Sequence, residues 1–448
     1  MIKSVIFKLA NNVFDIDIIK LYEQFKNIEF KSKLELKKDQ ETQLNRMLIH
    51  CYNNVPYYKE IFNNLNIKYD DINTIEDLGK LPVLTKEIVK KNPNQFIPKN
   101  LVQFKHKQGR TGGTTGTPFI FYIDHKQRIR SIALLYLGLT NAGYNFGDKI
   151  LFLGGSSIGG SGSIGIKYFY KYGLNFHKLS SFDMEERNLK LYYNTLVKEK
   201  PLYIRGYASS LYFLADWIDK SNLNNYKFNA VFSMTEKLHD YMREKIENVF
   251  QCKVFDQYGL YDGGLSAYEC VKHDGMHIDT QNSIMETVDS NNMENCESEG
   301  RVLATSLYNY AYPLIRYETG DIATVTEELC SCGRQTKRIK EIVGRSVDIL
   351  QSPDGKYIHG WIFSYIFKVH CQGIKQYQVI QEDLFNITIK IIKEKNFDEN
   401  QIKMINKIVH DRAPMWILNF EFVDSIDTTE AGKFKYIINK LNSQKHDS

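Results

Sequence analysis

Nine residues, Arg110-Thr111-Gly112-Gly113-Thr114-Thr115-Gly116-Thr117-Pro118, hold four threonines and three glycines. Glycine lets the backbone approach a bound group closely and take up positive φ. Successive backbone N–H groups in such a turn form an anion nest, and the threonine hydroxyls add donors. That is a chemistry for holding phosphate. It is not a Walker A loop, because no Gly-Lys-Ser/Thr follows at the required spacing. The competing reading is a plain polar turn ahead of a strand, Phe119-Ile120-Phe121-Tyr122-Ile123.

Four further stretches carry usable groups. In Asp256-Gln257-Tyr258-Gly259-Leu260-Tyr261-Asp262 the ring of Tyr258 beside Gly259 offers a stacking face. Asp262 offers a carboxylate able to hold a metal ion on phosphates. In Ile315-Arg316-Tyr317-Glu318-Thr319-Gly320-Asp321, Asp321 follows a turn glycine and can accept two ribose hydroxyls. Each signal is weak alone, and Thr-Gly-Asp is a common turn. Ile342-Val343-Gly344-Arg345-Ser346-Val347-Asp348 marks a change of texture, and Gly432-Lys433 forms a tip that can deliver one positive charge to a site elsewhere. Cys270 with His277, and Cys330 with Cys332, make two close pairs of metal-ligating residue types. His273 competes with His277 as a ligand, and Cys296 competes as a thiolate. Unligated thiols are the alternative.

These groups need elements to position them. Residues 1 to about 75 read as helical, with Leu44, Met47, Leu48 and Cys51 at helical spacing and a stop at Asn53-Asn54-Val55-Pro56. Cys51 reads as a core residue. From 100 to about 330, short apolar runs such as Lys149-Ile150-Leu151-Phe152-Leu153 and Asn229-Ala230-Val231-Phe232-Ser233-Met234 alternate with helical stretches at 209–220 and 238–250. That alternation predicts an α/β fold, a parallel or mixed sheet covered by helices. Ligands of such sheets gather at the carboxyl ends of strands. The loop at 154–165 has six glycines in twelve residues and, with 205–211, is the expected substrate-pocket wall. After 345 a small α+β unit is expected, with strands near 376–381, 385–392 and 417–423. A helix from about Asp398 should bury Ile402, Ile405, Ile408 and Val409, its start a capping box of Asp398 and Gln401. The domains are then 1–345 and 346–448, with 1–75 a helical lead-in.

A chain of 448 residues exceeds one small core. A dispersed net charge of +5 shows no basic stripe of the kind a nucleic-acid binder needs. No run of about 18 apolar residues occurs, so no membrane span is expected, and the N-terminal residues lack the pattern of a secretory signal. Seven scattered cysteines, an odd number, fit a reduced, cytoplasmic setting better than a disulfide framework.

Taken together and in this order, the motifs resemble those of the adenylate-forming superfamily of acyl-CoA synthetases. The likeness is greatest to the phenylacetate–CoA ligase branch and its capsule-biosynthesis-type members, and it spans residues from about 105 to 440. It implies a large N-terminal multi-layer α/β domain with a small mobile C-terminal domain. It implies an AMP-forming ligase that uses ATP and Mg2+, activates a small carboxylic acid, and passes the acyl group to CoA or to an amine such as an amino sugar. Carried over motif by motif, Thr111, Gly112, Gly113, Thr114, Thr115, Gly116 and Thr117 close over the ATP phosphates, with Thr115 among the catalytic residues. Tyr258 and Gly259 meet adenine, Asp321 takes the ribose, and Arg345 supports that site. Asp262 holds magnesium, Asp348 is the hinge, and Lys433 reaches the α-phosphate. Some members of the branch bind zinc through ligands patterned as Cys270, His277, Cys330 and Cys332, which implies a closed structural site.

Two positions depart from the family pattern. Asp262 stands where glutamate is usual and is one methylene shorter. Thr117 stands where many members have lysine. Both leave open a catalytically silent scaffold that keeps the fold. A second enzymatic reading is amide formation in surface-polysaccharide assembly. His106 and His125 flank the phosphate loop and read as surface or packing residues rather than bases. The acid is not legible, and a homodimer stays open.

Overall fold

The computed structural model describes residues 18–110, 120–154, 175–180, 186–224, 226–260, 262–289, 296, 299–345, 349–354, 357–360, 363, 366–367, 371–394, 396–411, 413–426 and 436–442. The chain forms two compact units. The first takes Met1–Gly109, Phe121–Thr319 and Thr324–Glu341; the second takes Arg110–Ile120, Gly320–Ala323 and Ile342–Ser448.

Helices α1 (Ile18–Ile28), α2 (Lys33–Asn54) and α3 (Pro56–Asn64) come first. A capping box starts α2: Ser32 N–H donates to Glu35 Oε2 at 3.0 Å, and Ser32 Oγ accepts from Glu35 N–H at 3.3 Å. Its Leu44, Met47, Leu48 and Cys51 are buried, as their spacing requires. Burial pushes the Cys51 thiol well up, in keeping with a core residue. Pro56 both ends α2 and opens α3, since its ring fits only the first helical turn. After the short helix α4 (Lys86–Lys91) come strands β1 (His106–Arg110) and β2 (Ile120–Asp124), which pair with each other, and helix α5 (His125–Asn141). Ile18, Tyr22 and Phe25 of α1 pack on Ile129, Ala133, Leu134 and Leu137 of α5.

Strands β3 (Ile150–Gly154), β4 (Phe176–Ser180), β5 (Tyr203–Tyr207), β6 (Ala230–Met234) and β7 (Lys253–Gly259) run parallel in the order β4-β3-β5-β6-β7. Helices α6 (Glu186–Glu199), α7 (Ala208–Lys220) and α8 (Asp240–Phe250) alternate with them. Every residue of β3 and β6 is buried, which is why both read as largely apolar runs, broken in β6 only by Ser233. Next to β7 the sheet turns antiparallel through β8 (Ser266–Glu269) and β9 (Met276–Ile278). Strands β10 (Ser283–Val288), β11 (Glu299–Ser306), β12 (Tyr317–Thr326) and β13 (Arg338–Arg345) complete eleven strands, in the order β10-β11-β12-β13-β9-β8-β7-β6-β5-β3-β4.

In the second unit, β14 (Ile349–Gln351) and β15 (Tyr357–His359) pair antiparallel. Strands β16 (Ile374–Gln381), β17 (Asn386–Lys393), β18 (Ile417–Phe422) and β19 (Ile437–Asn439) form a sheet in the order β18-β17-β16-β19. Helix α9 (Gln401–His410) crosses between β17 and β18 and buries Ile405 and Val409 against Val379, Ile389 and Trp416. Ile402 and Ile408 are only partly buried. The expected capping box at Asp398 does not form. Asp398 Oδ1 accepts the N–H of Asn400 at 2.9 Å, and the Gln401 side chain instead exchanges hydrogen bonds with the backbone of Gln372 at 2.5 and 3.1 Å. The loop from β15 to β16 thus takes the Gln401 Oε1 that a capping box would have used, while Nε2 still donates to the Asp398 carbonyl at 2.9 Å. Among the described residues, no helix is long and apolar enough to cross a membrane.

Candidate active site and metal centre

Tyr258 and Gly259 end β7, at the carboxyl edge of the parallel strands. Tyr258 is half-buried and Gly259 exposed. Three residues on, Asp262 Oδ1 accepts the N–H of Gly263 at 3.1 Å and Oδ2 accepts the Tyr317 hydroxyl at 3.2 Å. A carboxylate so held keeps lone pairs for a hard cation.

Tyr317 opens β12, the strand that carries Thr319-Gly320-Asp321. Gly320 sits at φ +82°, where a side chain would be strained, and Asp321 is buried beyond it. The strand is anchored one residue earlier. Arg316 takes a left-handed φ of +52°, and its guanidinium donates to Glu286 Oε1 at 3.1 Å and to the carbonyl of Leu81 at 2.6 Å. Both side chains of this pair are almost fully enclosed, and burial pushes the Glu286 carboxyl upward against the pull of Arg316. Asn309 plays a similar part for the start of α5. It accepts the N–H of Asp124 at 2.9 Å and donates to the carbonyls of Tyr122 and Tyr312. Asp124 in turn caps α5 through Lys126 N–H at 2.8 Å. His106 is held by the carbonyl of Phe104 at 2.7 Å and by the edge of the Tyr122 ring, a packing role.

The expected phosphate loop at 111–117, the glycine-rich loop at 155–165, the hinge Asp348 and Lys433 lie outside the described residues. Arg345 ends β13 in backbone only.

The second centre is fully formed. One ligand atom from each of Cys270, His277, Cys330 and Cys332 lies within 4.8 Å of the others. Cys270 follows β8, His277 is in β9, and the other two stand in the loop between β12 and β13. The Sγ atoms of Cys270 and Cys330 are 3.8 Å apart, and Cys332 Sγ is 3.3 Å from His277 Nε2. Neither distance is covalent, and all seven cysteines are free thiols. A tetrahedral ion about 2.3 Å from sulfur would set sulfurs roughly 3.8 Å apart, so the residues fit zinc. His277 Nδ1 is hydrogen-bonded to Thr336 Oγ1 at 2.9 Å, which orients Nε2 toward the thiols. Burial, then the Arg334 and Arg338 charges, hold the imidazole neutral, its pKa lowered to about 4. Burial pushes the Cys270 thiol up to about 12. Cys332 goes the other way: burial opposes ionisation, but hydrogen bonds from Arg334 prevail and lower it. Arg334 also donates to Glu29 Oε1 at 2.6 Å and to Asn141 Oδ1 at 2.8 Å, tying the cysteine loop to α1 and α5. The rival ligands are placed elsewhere. His273 bonds Glu269 Oε2 at 3.1 Å and packs on Phe255, while Cys296 bonds the carbonyl of Glu299.

Sequence reasoning missed Glu286, Asn309, Thr336 and Arg334. Each is a lone polar residue meeting a partner far along the chain, and no local spacing marks it.

A mixed eleven-stranded sheet with a small C-terminal α+β unit is the fold of the adenylate-forming CoA ligases. Structures of 2-hydroxyisobutyryl-CoA ligase match over 94% of both chains at 18–20% identity. The TM-score is 0.67 in the postadenylation state with R3-HIB-AMP and 0.62 in the thioesterification state with 2-HIB-AMP and CoA. In sequence, the chain is a homologue of protein CapK of Staphylococcus aureus, 29% identical over 402 residues that cover 87% of this chain and 86% of that one. It is also homologous to the phenylacetate-coenzyme A ligase of Thermus thermophilus, at 27% identity over 72% of this chain and 73% of the relative. Residues 350–440 match the family model of the CapK C-terminal domain.

Proposed function

We propose that this chain is an AMP-forming ligase that activates a small carboxylic acid as its acyl-adenylate. The observation that carries this reading is the hydrogen bond from Tyr317 to Asp262. It joins the strand bearing Thr319-Gly320-Asp321 to the segment that follows Tyr258-Gly259, two motifs with nucleotide-handling chemistry. The shared fold with ligases that hold acyl-adenylates supports it.

In this reading Tyr258 stacks on adenine, Asp321 accepts the ribose hydroxyls, and Arg345 supports that site. The backbone and hydroxyls of 111–117 cradle the phosphates, with Thr115 against the reacting end. Asp262 is the protein's ligand for a magnesium ion, which would neutralise charge on the phosphates when bound. The substrate carboxylate attacks the α-phosphorus; its oxygen bonds to phosphorus and pyrophosphate leaves. Lys433 offsets the negative charge that builds on the α-phosphate. The small unit, 346–448, then turns about Asp348, and the thiol of CoA or an amine displaces AMP. Zinc held by Cys270, His277, Cys330 and Cys332 would be structural, because four protein ligands leave no position for water.

Pyrophosphate release from MgATP, with hydroxylamine trapping the adenylate, tests this across a panel of acids. Acid-dependent release that falls by about 100-fold or more in Lys433→Ala is expected. ATP binding without release for any acid would favour a silent scaffold, and absence of ATP binding would overturn the phosphate-loop assignment. The family match at 350–440 favours a second reading for the acceptor, an amine in surface-polysaccharide assembly, as in the capsule-type members that the sequence resembles. Preferred thioester formation with CoA would count against it.

A further inference from the structure

Among the described residues, no carboxylate neutralises the charge of Arg205. Arg205 is the third residue of β5, and in register it lies between Phe152 of β3 and Phe232 of β6. The Phe152 ring centroid is 5.9 Å from its guanidinium carbon. Among the described residues its guanidinium makes one hydrogen bond, from Nε to Oε1 of Gln257 at 2.8 Å, and no ion pair. The side chain is half-buried, and burial lowers its pKa to about 10. A guanidinium among aromatic rings without a counter-charge weakens a fold.

Gln257 adds a second, independent feature. It is buried on β7, one residue before Tyr258, and its Nε2 has no acceptor. The amide cannot be turned round to cure this. Arg205 Nε–H requires an acceptor, so Oε1 must face it, and the two N–H bonds of Nε2 point away unmet. The terminal nitrogens of Arg205, which the fold does not enclose, and the buried amide of Gln257 can therefore donate to one shared acceptor. Tyr258, the proposed adenine support, leaves the opposite face of the same strand, but Arg205, Gln257 and Tyr258 all lie toward the carboxyl ends of β5 and β7, where ligands of such sheets gather.

We propose that Arg205 and Gln257 close the far end of the acyl pocket and bind a second carboxylate, making the substrate a dicarboxylic acid. The proposal rests on the adenylation reading. One carboxylate is activated at the nucleotide; the other accepts from Arg205 and Gln257, a charge-assisted pairing that matches a planar acceptor. A monocarboxylic acid of the same length would leave both donors unmet.

The test measures kcat/KM for pyrophosphate release with hydroxylamine, using matched pairs: succinate and butyrate, glutarate and valerate, adipate and hexanoate, terephthalate and benzoate. The wild-type protein should favour the diacid of at least one pair by roughly 100-fold, the discrimination expected from hydrogen bonds to a charged group. Arg205→Met should collapse that ratio. Gln257→Glu keeps the shape and gives Arg205 an internal counter-charge, so it should collapse the ratio in a protein that melts normally. A wild-type preference for the monoacid in every pair, or an unchanged ratio in both folded variants, would overturn the proposal. If no acid releases pyrophosphate, the adenylation reading fails by itself. Calorimetric binding of the same diacids then judges Arg205: affinity lost in both variants sustains the site, and no binding to wild type overturns it.

Discussion

Two regions of this protein are suited to cations, and they are built in opposite ways. The cluster of Cys270, His277, Cys330 and Cys332 brings three soft thiols and one imidazole together from three places in the chain and orients its histidine with Thr336. Asp262 brings one hard carboxylate, steadied by Tyr317. The first arrangement would close around a zinc ion and leave no position for a substrate. The second is incomplete until phosphates supply the remaining oxygens. Ligand softness and ligand count would keep a zinc ion at the first and a magnesium ion at the second from competing.

The comparison can be pressed hardest by removing the first ion. Cys330→Ser, or extraction by a strong chelator, should lower the thermal midpoint sharply, since structural zinc contributes on the order of 10 kcal/mol in small domains. Metal analysis should give one zinc per chain in the wild type; a metal-free protein with an unchanged midpoint would sink the assignment. Next in size is Arg316→Met, which strands Glu286 inside the protein and should cost about 3–5 kcal/mol by denaturant unfolding. That loss concerns folding, so the zinc content should be unchanged in the remaining folded protein. Asp262→Asn should reverse the pattern, cutting pyrophosphate release by roughly 100-fold with a normal melting curve and full zinc content. A large drop in stability would show that the carboxylate is structural after all.

A gentler lever is pH. Burial, then repulsion from Glu269, raises Asp256 to about 7. The folded state therefore holds this proton between about pH 4 and 7, while the unfolded chain has lost it. This term is fully favourable below the unfolded value and is lost as pH rises through about 7. Asp256→Asn should remove that part of the slope of stability against pH; an identical slope in the variant would contradict it. The smallest effect is expected for Tyr317→Phe, which deletes one hydrogen bond worth about 1 kcal/mol. It should raise the magnesium concentration for half-maximal activity several-fold and leave zinc untouched.

Much of the frame was legible because it repeats. Leu44, Met47, Leu48 and Cys51 are buried at the spacing that suggested a helix, and the apolar runs at 150–153 and 230–234 are strands buried on both faces. The two cysteine-containing pairs stood out for their residue types. What brings them together did not, because Thr336 and Arg334 look like any polar residues until β9 and β13 align. The same holds for Arg316 and Glu286, which are separated by 30 positions, and for Arg205 and Gln257, separated by 52. Convergence of single polar groups is a property of topology, not of local pattern. The capping box drawn at Asp398 failed for a related reason: a local motif lost its glutamine to Gln372 on a neighbouring loop.

Arg334 also has a consequence for the order of assembly. Its partner Glu29 lies 305 residues earlier. During synthesis at roughly 5–20 residues per second, α1 leaves the ribosome some 15–60 s before the arginine that will hold it exists. Over that interval its apolar side, Ile18, Tyr22 and Phe25, can rest on α5, which arrives about a third of the way through. The polar latch closes last, and it closes on the same loop that carries Cys330 and Cys332. The C-terminal end of α1 is therefore latched only when the loop that carries Cys330 and Cys332 has been made.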